Sequence, residues 1–99
     1  MKKKEKEFKK FIKDWYECWM GSKQELLNYL LHRKIWYGSF DIAKDLINNG
    51  AEINSISEEY GYGTPLDMMK AVYSSEKSMI AFFKKKGAKT KKELLDKGK

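Results

Sequence analysis

Few side chains in this 99-residue sequence could carry covalent or acid–base chemistry. His32 is the only histidine and Cys18 the only cysteine. A histidine-activated nucleophile would have to pair these two, and neither stands in a catalytic signature. One imidazole and one thiol also fall short of the common structural zinc sites. His32 is therefore read as a helix-surface histidine and Cys18 as a small residue at the edge of the core. Gly61-Tyr62-Gly63 lacks the Lys-Ser/Thr ending of a phosphate loop and follows no clear strand, so it reads as a turn. The expectation is a chain with no enzymatic activity, no metal and no cofactor.

Contact chemistry is better represented. Residues 51–63 carry Glu52, Glu58, Glu59, Tyr60 and Tyr62, with Asp67 just beyond. Tyrosines are stiff aromatic anchors, and acids around them would steer a basic partner. Trp36 and Tyr37, in another loop, are weaker candidates of the same kind.

The net charge of +7 raises the question of nucleic acid. The excess is terminal: +3 over residues 1–20, +6 over 84–99, and −2 between. Lysines at 2–4, 84–86 and 91–92 could contact phosphates, but no helix-turn-helix, zinc finger or single-strand platform accompanies them. The aromatics among the first lysines fall at helical period, which favours packing over base stacking. A single cysteine permits no internal disulfide and fits a cytoplasmic location. There is no run of about 18 apolar residues, so no membrane span is expected.

These residues must be positioned by helices. Phe8, Phe11, Ile12, Trp15, Tyr16 and Trp19 form one apolar stripe on a helix over about residues 5–20, ended by Gly21. Lys2 to Lys4 face the positive end of the helix dipole and should fray. Ser22 with Glu25 forms a capping box for a second helix, which runs to about Ile35 and buries Leu26, Leu27, Leu30 and Leu31. Gly38 breaks the chain before a third helix, about Phe40 to Asn48, which stops at Gly50. Residues 51–63 read as an extended, turn-rich finger. Thr64-Pro65 restarts helix, first to about Tyr73 and then, past Ser74-Ser75, from about Glu76 to Lys85. Gly87 closes that segment, and Thr90 caps a short last helix holding Leu94 and Leu95.

An internal repeat organises these elements. With Gly50 set on Gly87, Ile42, Ala43 and Leu46 fall on Met79, Ile80 and Phe83, and both copies end in Gly-Ala. Leu46-Ile47 followed by Gly50-Ala51-Glu52-Ile53-Asn54 is similar to the ankyrin motif "LLxxGAdvN". Gly63-Thr64-Pro65-Leu66-Asp67 is similar to its "TPLH", and Gly87-Ala88 follows in the family's order. The sequence thus resembles the ankyrin-repeat family over roughly residues 24–90. It departs from the family at Asp67, which replaces the usual histidine, and at Met69, which replaces a small residue. The finger is also longer than usual, and residues 1–20 match no repeat.

The resemblance implies an all-α fold: an ankyrin-like solenoid of helical hairpins in a single domain, residues 1–99. Its parts would be an N-terminal capping helix (1–21), a first repeat (22–50), the finger (51–63), a second repeat (64–89) and a short C-terminal helix and tail (90–99). Two repeats cannot bury their faces alone. The aromatic stripe should therefore cover the first repeat, or else pair with a second copy of the chain. Because ankyrin-like proteins bind partners through finger tips and inner helices, the resemblance implies a protein-binding module. Its partner would present a basic surface, and an intracellular immunity protein or inhibitor that blocks a toxin or enzyme is the concrete form. The alternative is a nucleic-acid-associated protein using the lysine-rich ends.

Overall fold

A computed structural model describes residues 2–57 and 59–97, with side chains for 6–57 and 59–96. Among these residues six helices follow one another: α1 (Lys2–Glu17), α2 (Lys23–Trp36), α3 (Phe40–Asn48), α4 (Pro65–Val72), α5 (Lys77–Lys85) and α6 (Lys91–Lys97). The only β-type pairing among the described residues is one antiparallel bridge between Ser57 and Gly63. The fold is all-helical.

α2 lies at the centre, packed against α1, α3 and α4. It starts at the Ser22 box: the Glu25 amide donates to Ser22 Oγ at 3.1 Å, and the Ser22 amide donates to Glu25 Oε1 at 3.2 Å. α4 starts the same way, with Thr64 and Asp67. At α6 the Glu93 amide donates to Thr90 Oγ1 at 3.1 Å, and the Thr90 amide donates to Glu93 Oε1 at 3.1 Å. Each box satisfies two of the amides that a helix start leaves unpaired.

The Gly-Ala pairs end α3 and α5 alike. The Ala51 amide reaches back to the Leu46 carbonyl and the Ala88 amide to the Phe83 carbonyl, both at 2.9 Å. Gly50 and Gly87 sit at φ +109° and +93°, where L-residues are strained and glycine is not. An asparagine then holds each following turn. Asn28 Oδ1 accepts from the Glu52 amide at 2.7 Å, and Asn54 Oδ1 accepts from the Lys89 amide at 2.8 Å. Side-chain amides also cover the glycine carbonyls, Gln24 on Gly50 and Asn54 on Gly87. The two halves therefore share the backbone bonds of their Gly-Ala turns, while the side chains that hold those turns come from α2 in the first and from the finger in the second.

One continuous interior contains Leu26, Leu30, Leu31, Ile35, Leu46, Leu66, Met68, Met69 and Phe83, all at most 1 % exposed. Phe8, Phe11, Trp15 and Trp19 pack their partly buried rings against it in cis. Among the described residues of α1, Ile12 is the one that is buried. Grooves remain on both sides of this helix. One, of about 430 Å³, is lined by Phe8, Ile12 and Leu27 with Lys9, Lys13 and Lys23; the other, of about 200 Å³, lies against Phe11 and Ile42.

Four expectations are corrected. Lys2 to Lys4 lie within α1. Lysine is a good helix former, and the dipole penalty of a few tenths of a kcal/mol does not outweigh that preference. Tyr16, 49 % exposed near the end of α1, falls outside the buried stripe. Cys18 is exposed, because the chain leaves the helix after Glu17. His32 is buried rather than on the surface, because α2 has neighbours on several sides.

Candidate functional site

α2 turns a second, polar-aromatic face away from its leucines. Tyr29, Arg33 and Trp36 follow at i, i+4 and i+7, one above another on a helix, and Tyr37 caps the end. Arg33 Nη1 donates to Tyr29 Oη at 3.5 Å. Its guanidinium carbon lies 5.4 Å from the centroid of a Trp15 ring and 5.0 Å from that of Tyr37. Both distances are within the range of cation–π attraction. Trp15 and Trp19 pack on Tyr29 at ring separations of 6.0 and 5.2 Å.

The finger completes this row from the other side. The Ser57 amide donates to the Gly63 carbonyl at 3.1 Å, the Gly61 amide to the Ser57 carbonyl at 3.3 Å, and the Tyr60 amide to Ser57 Oγ at 3.3 Å. Gly61 and Gly63 take φ of +71° and +103°. This tight closure brings Tyr60 and Tyr62, two residues apart, to the same indole. Their rings lie 6.0 and 5.8 Å from Trp36. Trp36 and Tyr62 each remain 38 % exposed and Tyr37 62 %. Partial burial pushes the Tyr60 phenol above its ordinary range; nearby Tyr29 adds to the shift and Arg33 opposes it. Tyr60 therefore stays neutral at physiological pH and can donate or accept a hydrogen bond.

His32 fastens the base of the finger to α2. Its Nε2 stands 3.1 Å from both the carbonyl oxygen and the Oγ of Ser55. A carbonyl only accepts, so Nε2 carries the proton and Nδ1 is a buried acceptor with no partner among the described residues. Burial lowers the imidazole pKa to about 4, and the bond to Ser55 opposes that shift. The ring is neutral at pH 7 and its role is positional.

The structure joins Trp36 and Tyr37, at the end of α2, with Tyr60 and Tyr62 of the finger into one surface. Glu52 and Glu59 are exposed on the finger. Glu58 lies outside the described residues. Asp67 stands apart and is engaged elsewhere: its Oδ2 accepts from the Thr64 amide at 3.0 Å and the Lys91 amide at 2.8 Å. Arg33, Tyr29 and Trp15 belong to the surface but were not picked out by sequence reasoning. The i, i+4, i+7 series of Tyr29, Arg33 and Trp36 opposite the leucines was the signal for them. Lys84 and Lys85 on α5, Lys86 just after it, and Lys91 and Lys92 on α6 are exposed, and none of them is among the described contacts of the row.

Among the described residues no cluster of three or more His, Cys, Asp or Glu could hold a metal ion. No described helix is long and apolar enough to cross a membrane. No protein-family model matches the chain, and neither the curated proteins nor the solved structures contain a match.

Proposed function

We propose that this chain is a protein-binding module, built as two ankyrin-like hairpins stacked in a short solenoid and capped by α1 and α6. The doubled Gly-Ala turns, each held by an asparagine carbonyl, support the repeat reading. The observation that carries the function is Trp36, packed against both Tyr60 and Tyr62 and still open to solvent. Exposed aromatic groups fixed by their neighbours lose little entropy on binding, and such residues dominate binding energy at interfaces. Glu52 and Glu59 on the same finger favour a partner with a basic surface, through steering more than through raw affinity. The concrete form is a cytoplasmic immunity protein or inhibitor that covers the working surface of a toxin or enzyme. It performs no reaction and needs no cofactor.

The test is affinity purification of the tagged chain from its native cell, beside Trp36→Ala/Tyr62→Ala and Lys84→Ala/Lys85→Ala/Lys86→Ala variants. The reading predicts a co-purifying protein that is lost with the aromatic variant and kept with the lysine variant. Loss only with the lysine variant, together with capture of nucleic acid that disappears at high salt, points instead to the nucleic-acid-associated alternative.

A further inference from the structure

We propose that Arg33 is the anchoring contact of this surface and takes a carboxylate that the bound protein presents between apolar side chains. The proposal rests on reading the aromatic row as a protein-binding site, and it names what the partner must bring there.

Arg33 is the one arginine among 21 basic residues. It sits where aromatic rings converge, near Trp15 and Tyr37 at 5.4 and 5.0 Å. A guanidinium carries five N–H donors in a planar fork. The described structure engages it through one long bond, 3.5 Å to Tyr29 Oη, and through the neighbouring Tyr60 phenol. The charged or polar groups acting on it are the phenols of Tyr60, Tyr29 and Tyr37, with no carboxylate among the described residues. Among the described residues these phenols are its acceptors, and they accept weakly.

Arginine differs from lysine in how it uses such a place. Rings can stack on the faces of its plane while its edge donors remain free for two oxygens at once. The surrounding aromatics restrict the side chain before any partner arrives. A partner that covers Trp36 and Tyr62 would also strip water from Arg33. A guanidinium desolvated without an acceptor is costly, so the occupant must supply one. A single cation in an aromatic row suits one carboxylate. A run of phosphates would need several cations along its path, and the lysine groups of α5 and α6 lie outside the row. The partner is therefore basic around its rim, opposite Glu52 and Glu59, with one acidic residue at its centre.

The probes are two capped tripeptides, one with glutamate between two phenylalanines and one with glutamine in its place. Each is titrated into the intact chain, following the Arg33 Nε–H and Trp36 indole N–H signals by NMR. The expected result is that both signals move and that the glutamate peptide binds about tenfold more tightly. Arg33→Lys should abolish that preference while the Trp36 signal still moves. Equal binding of the two peptides, with Trp36 shifting, overturns the carboxylate anchor and leaves the aromatic surface standing. Binding of neither peptide counts against both. A glutamate preference that survives Arg33→Lys but is lost with Lys84→Ala/Lys85→Ala also overturns the assignment.

Discussion

The phenolic hydroxyl of Tyr73 donates to the backbone carbonyl of Trp36 at 2.8 Å. One bond thus ties the end of α4 to the residue whose indole supports the finger. The Tyr73 ring also meets Phe40 edge-on at 5.1 Å, so the same side chain clasps both helices of the first hairpin. Tyr73→Phe keeps the ring and removes the bond. The expected loss is about 1 kcal/mol, read as a lower midpoint in urea with an unchanged slope. An unaltered midpoint would show that the clasp is idle.

Gly63 and Gly61 should respond differently to alanine. Both have positive φ, which costs an L-residue about 1–2 kcal/mol. At Gly61 a Cβ meets open space. At Gly63 it would approach Asp67 Oδ2 to 2.6 Å and Lys91 Cβ to 3.2 Å. That collision falls on the carboxylate that caps α4 and accepts from the Lys91 amide. Gly63→Ala should therefore destabilise by about 2 kcal/mol more than Gly61→Ala, as measured by denaturant unfolding.

Protonation of His32 should weaken the fold in mild acid. Its pKa falls from 6.5 in the unfolded chain to about 4 in the folded one. The unfolded state therefore binds the proton first as pH drops. Stability is full above pH 6.5 and declines progressively toward pH 4, by up to about 3 kcal/mol. Urea midpoints taken every half pH unit should show this slope in the wild type. His32→Gln should flatten it, even where that variant is less stable at pH 7.

Much of the local structure was legible in the sequence. Ser22 with Glu25, Thr64 before Pro65, and glycines at 50 and 87 each mark a helix end by backbone chemistry that acts over a few residues. The leucines of α2 and the paired positions Leu46 and Phe83 were readable as interior. His32 was not, because its burial depends on how many neighbours α2 acquires, which no local pattern records. The finger tyrosines were visible as candidates, and so was Trp36. Their meeting was not, since it depends on the turn at Gly61 and on a register between elements far apart in the chain. Asp67 looked like a contact residue because a free carboxylate and a capping one have the same letter.

Asn49 and Asn54 should matter in proportion to what their side chains hold. Asn54 accepts from the Lys89 amide and donates to the Gly87 carbonyl at 3.2 Å, so its removal leaves two backbone groups to find other partners. Asn54→Ala should cost about 2 kcal/mol and speed hydrogen exchange at Lys89. Substitution of Asn49, whose side chain only bonds back to Asp45 within its own exposed helix end, should change stability by less than about 0.5 kcal/mol.

The central claim is that the aromatic row contacts a protein, and photo-crosslinking in the native cell tests it most directly. A benzophenone side chain placed at Tyr62, and separately at Lys85, reports what each surface touches. The account predicts a discrete protein adduct from the Tyr62 site and none from the Lys85 site. Adducts from Lys85 alone, or nucleic acid as the only species captured at Tyr62, would contradict it.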